Sequence, residues 1–352
     1  MPTEHFVTAT YEVSAVSMQQ AAIAIARGQS VGNPSIYSPL ETKRLLKRHA
    51  AIYKINGRII EVRFPKRNFS RTGVNYLMSV LMGGQCDIGH IKACRLVELD
   101  MRCIEGEYPK PAYGMSGIRE YLQVYDRPLI GAIIKPKIGL SPKQLAEVVS
   151  QLADGGADFI KEDEILNDQK WCPMRERLPE AAKAIGDRKI LYAACITGDG
   201  SEVWQKARLA AGIGATVVHI NIWSGFGTYL DVRRHAKIPI FFQKSGDKVW
   251  TTGPFSIDYS VICKLVNLIG CDFAHVGMHG GYLSESEDVL KARMKALGST
   301  VPSFSCGVTH ELAPKLRNMF GNDIMITAGG AICGDPDGLT AGVMKFRKAV
   351  EG

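Results

Sequence analysis

Lys161, Asp163 and Glu164 bring an amine and two carboxylates within four residues, directly after the apolar stretch Ala157-Asp158-Phe159-Ile160. Carboxylates are hard oxygen donors, and two of them at a strand end gather the ligands that a Mg²⁺-sized ion prefers. An ammonium ligates nothing. Lys161 therefore either salt-bridges the two acids as part of a solvated patch, or reacts with CO₂ to become a carbamate, an anionic oxygen donor that would complete a metal site. Upstream, Gly131-Ala-Ile-Ile-Lys135-Pro-Lys137-Ile-Gly-Leu140 is an apolar run that ends in two lysines spaced i, i+2. Strand alternation would put both on one face.

The two segments together resemble the large chain of ribulose-bisphosphate carboxylase/oxygenase (RuBisCO), whose hallmarks are similar to IIKPKxGLS and GGxDFxKxDE at this same separation. The resemblance implies a carbamylated Lys161, with Asp163 and Glu164 holding Mg²⁺ beside it. It also implies acid/base work for Lys135; Lys137 and the carbamate oxygen of Lys161 are the other candidate bases. Further along, Ile324 to Gly330 ends in a glycine pair that either lets backbone N–H groups approach a phosphate or makes a tight turn. By position, the resemblance carries Ser305, Gly307, Gly329 and Gly330 over as residues binding one substrate phosphate. His275, in Phe273-Ala274-His275-Val276-Gly277, reads on its own as a satisfied core histidine; by resemblance it is a phosphate-pocket residue.

Departures from the family pattern carry equal weight. Where the family shows His-x-His-Arg, this chain has Phe241-Phe242-Gln243-Lys244, and Gln243 can hydrogen-bond but cannot shuttle a proton. In the loop Met278 to Leu283, Tyr282 stands at or near the place of the lysine that stabilises the carboxylation transition state. Gly28 to Asn33 stands where carboxylases show a Glu-containing segment. The chain thus resembles a RuBisCO-like protein that does not fix CO₂. The expected function is Mg²⁺-dependent enolase or isomerase chemistry, forming an enolate from a phosphorylated ketose or keto acid. Alternatives are decarboxylation of a β-keto acid sugar phosphate, a non-catalytic sugar-phosphate-binding protein, and a Schiff-base aldolase using Lys135 or Lys161.

Positioning such groups requires strand ends. From about residue 129, β-rich runs alternate with amphipathic stretches. Eight strands are expected near 130–134, 157–161, 189–195, 216–222, 238–244, 272–278, 301–307 and 324–330, which makes residues 126–352 a TIM (β/α)8 barrel with chemistry at its C-terminal face. Ser141 and Pro142 open the first helix as cap and first-turn proline, and Gly155-Gly156 closes it. Residues 1–125 read as a smaller α+β domain of ferredoxin-like type. It has alternation at Tyr11–Val16 and Ala51–Phe64 and helices near 18–28 and 71–82. The resemblance implies a homodimer with the active site at the subunit interface, where Asn33 would complete the partner's site together with the Gln243 and Lys244 end of the barrel.

A chain of 352 residues that is 46% hydrophobic can bury a large core. Its net charge of +8 is spread apart from Lys43 to His49, which reads as a solvated helix face rather than a nucleic-acid surface. Nine cysteines without a Cys-x-x-Cys spacing, and no apolar leader after Met1, point to reduced thiols in a cytoplasmic protein. No apolar stretch is long enough for a bilayer.

Overall fold

Residues 5–351 are described by a computed structural model of the chain. The strands are β1 (Phe6–Ala15), β2 (Ile52–Asn56), β3 (Ile59–Pro65), β4 (Ile91–Asp100), β5 (Leu129–Ile133), β6 (Phe159–Lys161), β7 (Leu191–Cys195), β8 (Val217–Asn221), β9 (Ile240–Gln243), β10 (Phe255–Ile257), β11 (Phe273–Gly277), β12 (Val301–Phe304) and β13 (Met325–Ala328). Two compact units result, one of Met1–Pro109 with Gly246–Leu268, the other of Lys110–Ser245 with Ile269–Gly352.

In the first unit the sheet order is β10-β4-β1-β3-β2, with β4-β1-β3-β2 pairing antiparallel and β10 parallel to β4. Val7, Ala9, Tyr11 and Val13 of β1 are buried at every second position, as a sheet covered on one face requires. The helices Met18–Gly28 and Val74–Leu81 complete a βαββαβ arrangement of ferredoxin-like type. The basic helix Lys43–His49 buries none of its residues, in keeping with the solvated face read from its sequence.

The second unit is a closed parallel barrel of β5 to β9 and β11 to β13, so the eight expected strands all form, most of them slightly shorter than their apolar runs. The helix Pro142–Asp154 starts with a capping box, Ser141 and Gln144 each accepting from the other's backbone, and Pro142 follows the cap. The expected division at residue 125 falls inside this unit. The reason is packing: Ile118 and Leu122, on the helix Gly114–Leu122, share one apolar cluster with Leu129, Phe159, Phe241 and Phe273 of the barrel. Residues 246–268, expected within the barrel domain, belong instead to the first unit.

Inside the barrel, Leu129, Phe159, Ala193, Val217, Phe241, Phe273, Val301 and Met325 supply one buried residue from each strand. The Phe159 ring centroid lies 5.0 Å from that of Phe273 and 5.8 Å from that of Phe241. Each buried ring contributes about 1.5–3 kcal/mol relative to exposure. Two residues further along the strands, with the same strand periodicity, come Lys161, His219, Gln243, His275, Ser303 and Thr327, all buried. A polar tier thus lies on an aromatic floor. Ser303 and Thr327 bond each other at 2.7 Å, Oγ to Oγ1.

Glu162 alternates to the other side of β6 and is completely buried together with Arg177. Arg177 donates through Nε to Oε1 at 2.7 Å and through Nη2 to Oε2 at 3.0 Å. Tyr192 Oη and the Cys195 backbone N–H donate to the same carboxylate at 2.8 and 2.7 Å. The pair fixes the backbone between Lys161 and Asp163 to the next strand and to the helix Met174–Ile185. We expect Arg177→Met to cost about 3–5 kcal/mol, because it strands a buried carboxylate. Adding Glu162→Gln, which removes the stranded charge, keeps one carbonyl oxygen for the Cys195 N–H and turns its NH₂ to the Tyr192 hydroxyl, restores part of the loss; urea titrations of both variants would check this.

Candidate active site at the carboxyl ends of the barrel strands

The residues that follow the barrel strands collect the charged groups. Lys135 Nζ lies 2.5 Å from Asp163 Oδ2, and Lys137 Nζ lies 4.0 Å from Asp163 Oδ1. Strand alternation does not produce this convergence, because β5 stops at Ile133 and Pro136 has no N–H for a ladder. The two lysines sit on the loop beyond it, and Asp163, 1% exposed, draws both. Lys161 is completely buried. Its Nζ donates to the Glu162 carbonyl at 3.1 Å and stands 3.8 Å from Glu164 Oε2. Burial pushes the Lys161 ammonium below its ordinary range, and attraction from Glu164 offsets only part of that. Burial acts to raise the Glu164 carboxyl, but Lys161, the Ser245 hydroxyl and Lys137 together hold it below its usual value.

A line of hydrogen bonds runs from Glu164 across the barrel mouth. Ser245 Oγ donates to Glu164 Oε1 at 3.0 Å, and Gln243 Nε2 donates to Ser245 Oγ at 2.7 Å. Gln243 Oε1 faces His275 Nε2 at 3.1 Å, and His275 Nδ1 faces Ser305 Oγ at 3.0 Å. Desolvation pushes the His275 imidazolium down to about 3, with Lys161 and Lys244 adding to it, so this ring is neutral at ordinary pH. His275 and Ser305 are therefore already engaged with each other and with Gln243. The ring is thus a buried, hydrogen-bonded histidine near the end of its strand.

The glycines differ in what they make room for. A Cβ on Gly329 would meet Lys135 Cε at 2.9 Å, whereas one on Gly330 would meet nothing within 4 Å. Gly307, at φ +86°, lies under Tyr282, whose ring atoms would be 2.8–2.9 Å from an added Cβ. Tyr282 is itself 89% exposed, and its N–H donates to the Cys306 carbonyl at 2.9 Å. Asn33 belongs to the first unit, where its Oδ1 accepts from the backbone of Ser35 and Ile36 at 2.8 and 3.0 Å and so holds a turn. Glu162, Ser245 and His219 have no assignment from the sequence. His219, buried beside Lys161, has both ring nitrogens without a hydrogen-bond partner, and burial pushes its imidazolium well down. The signal for the Glu162 pair was present: Arg177 occupies the buried stripe of its helix with Met174, Leu178 and Ala181.

Among the described residues, no group of three or more His, Cys, Asp and Glu side chains is arranged to hold a metal ion. Asp163 and Glu164 are a thin donor set by themselves. A carbamate on Lys161 would supply the third anionic oxygen, and burial, which weakens the amine's hold on its proton, favours the neutral form that attacks CO₂. The donor set therefore fits a hard divalent cation once that adduct is made. No described helix is long and apolar enough to cross a membrane, and all nine cysteines are free thiols.

Residues 114–297 match the model of the ribulose bisphosphate carboxylase large chain, catalytic domain. An uncharacterized ribulose bisphosphate carboxylase-like protein of Bordetella bronchiseptica is 31% identical over 92% of this chain and 82% of its own length. The 3-oxo-isoapionate-4-phosphate transcarboxylase/hydrolase of Xanthobacter autotrophicus is 32% identical over 83% of this chain and 75% of its own. Among solved structures, a rubisco-like protein (MtnW) from Alicyclobacillus acidocaldarius superposes with a TM-score of 0.86 at 24% identity, covering 98% of this chain and 93% of that one. The dimeric archaeal Rubisco of Hyperthermus butylicus gives 0.90 at 23%, covering 100% and 91%.

Because Gly329 leaves room for the Lys135 stem, Gly329→Ala should displace that side chain from Asp163 while the fold is kept. Loss of roughly 1 kcal/mol of pairing corresponds to an about fivefold faster reductive methylation of Lys135, followed by mass spectrometry. Gly330→Ala should leave that rate unchanged.

Proposed function

Because this chain belongs to the ribulose bisphosphate carboxylase large-chain family, we propose that it is an enzyme that forms an enolate from a phosphorylated ketose or keto acid and does not fix CO₂. The observation that carries this reading is the convergence of Lys135, Lys161 and Glu164 on and around the buried Asp163. Lys161 as carbamate, Asp163 and Glu164 would hold Mg²⁺. When bound there, the ion supplies Lewis-acid polarisation of a substrate carbonyl and charge stabilisation of the enolate.

The protein's own groups account for the rest. Carbamylation converts the buried amine and CO₂ into an anionic carbamate with release of one proton, a step favoured by the depressed affinity of Lys161 for that proton. Lys135 Nζ, tied to Asp163 and partly exposed, is the group placed to carry a proton to or from the carbon next to the carbonyl. Lys137, half exposed, is the second candidate. Gln243 in the position of a histidine supports a site with one proton carrier fewer. Tyr282 near the place of a lysine leaves no cation on that loop to steer CO₂, so reprotonation is the expected fate of the enolate. Gly330, open above its Cα, is the position best suited to a phosphate approaching the backbone. Ser305, Gly307, Gly329, His275 and Lys244 are proposed to line the same side, and Asn33 to act from the partner of a homodimer.

A second reading has its own support. The Xanthobacter relative is named for a carboxyl-transferring or hydrolytic reaction on a 3-oxo acid phosphate, so C–C cleavage of a β-keto acid sugar phosphate, leaving the same enolate, is the alternative.

Calorimetry of Mg²⁺ binding should show binding that requires bicarbonate in the wild type and is absent in Lys161→Ala. Bicarbonate-independent binding would remove the carbamate from this account. With a 3-oxo acid phosphate or a ketose phosphate in D₂O, NMR should show deuterium entering the carbon next to the carbonyl, about 10² or more slower in Lys135→Ala. Loss of the labelled carboxyl group without prior exchange would favour the cleavage reading.

A further inference from the structure

We propose that Gln243 is a positioning residue that locks the tautomer of His275 and the orientation of Glu164 through one directional line of hydrogen bonds. The direction follows from an end that can only accept. Glu164 Oε1 is a carboxylate oxygen, so the contact with Ser245 Oγ uses the Ser245 proton. Ser245 Oγ must then accept at its next contact, so the Gln243 amide turns its NH₂ toward it. That leaves the Gln243 carbonyl facing His275, which meets it with Nε2–H. His275 Nδ1 is left with a lone pair, and Ser305 donates to it.

All four contacts, 2.7–3.1 Å long, are satisfied by this one assignment. Reversing any of them would set donor against donor or lone pair against lone pair. Gln243 is 4% exposed and His275 4%, so water cannot readily replace a lost partner, and the Ser303 backbone carbonyl is the other acceptor that competes for the His275 proton.

A glutamine is suited to this because its two ends are chemically distinct and neither titrates. A histidine at the same place could take up a second proton and so present donors to both Ser245 and His275, which a glutamine cannot do. In the present arrangement Glu164 Oε1 is held by Ser245, which leaves Oε2 as the oxygen nearest Lys161. Holding Glu164 in this way for a cation rests on the reading given above. The tautomer of His275 does not.

The test uses full-length protein labelled with ¹⁵N-histidine, its His275 signals identified by their loss in His275→Asn. Long-range ¹H–¹⁵N correlation of the unliganded wild type should show one tautomer, with the proton on Nε2 and Nδ1 as the bare nitrogen. Gln243→Met, close to isosteric and without either amide group, and Gln243→His should each give a mixture or inversion of the two forms. An Nδ1–H tautomer in the wild type, or an unchanged Nε2–H form in both variants, would overturn the proposal. In parallel, calorimetry with Mg²⁺ and bicarbonate should show roughly tenfold or greater weakening in Gln243→Met, the usual cost of removing a residue that orients a ligand. Equal affinity in the two proteins would refute the Glu164 arm. A wild type that binds no Mg²⁺ would instead sink the metal reading, and the tautomer result would still decide the lock.

Discussion

The ion pair between Glu162 and Arg177 is the constraint on which the site depends. Strand β6 is only three residues long, yet the four residues from Lys161 to Glu164 must present three chemically different side chains with definite directions. Alternation sends residue 162 away from Lys161 and Asp163, into the layer between barrel and helices. There a bidentate guanidinium, a phenol and a backbone N–H saturate its carboxylate. A buried pair of this kind adds little net stability over an apolar substitute. What it provides is geometry: a segment that would otherwise be loop is fastened to β7 and to the helix Met174–Ile185, so Lys161 and Asp163 are held from behind.

With that backbone fixed, the charges in front of it are deliberately in tension. Lys161 is deprived of water and only loosely paired, at 3.8 Å from Glu164, while Asp163 receives the closer approach of Lys135. The polar tier sits directly on Phe159, Phe241 and Phe273, and Lys161 Nζ lies 5.7 Å from the centroid of the Phe241 ring. An apolar floor lowers the local dielectric. The same closeness that gives the tier its perturbed proton affinities makes each unsatisfied atom in it expensive, which is why Gln243, Ser245, His275 and Ser305 form an unbroken line.

Much of the barrel was legible because its strands are continuous apolar runs bounded by glycines and caps, a signal that survives without tertiary context. The α+β character of the first unit was legible from alternation at β1 and across the stretch that holds β2 and β3, whereas β4 was not read from the sequence. The boundary at residue 125 was not, since whether the helix Gly114–Leu122 belongs with one unit or the other is decided by which apolar face receives Ile118 and Leu122. At the site, Lys161, Asp163 and Glu164 stood out through local density of charge. The line through Gln243 could not, because it joins residues separated by up to 81 positions, each of them an ordinary polar residue in its own segment. Gly329 was read as space for a ligand; its neighbour in the folded protein is the stem of Lys135.

The excursion of residues 246–268 into the first unit bears on the order in which this protein can be made. Strand β10 covers the edge of β4, Phe255 to Ile257 pairing with Cys94 to Leu96, and Arg95 meets Asp258 at 2.5 Å. On a ribosome, the amino-terminal sheet emerges long before that covering strand. Until about three-quarters of the chain has been synthesised, β4 keeps a row of open backbone donors and acceptors, the kind of edge that recruits foreign strands. The amino-terminal unit therefore reaches its final form only after that strand has emerged and paired.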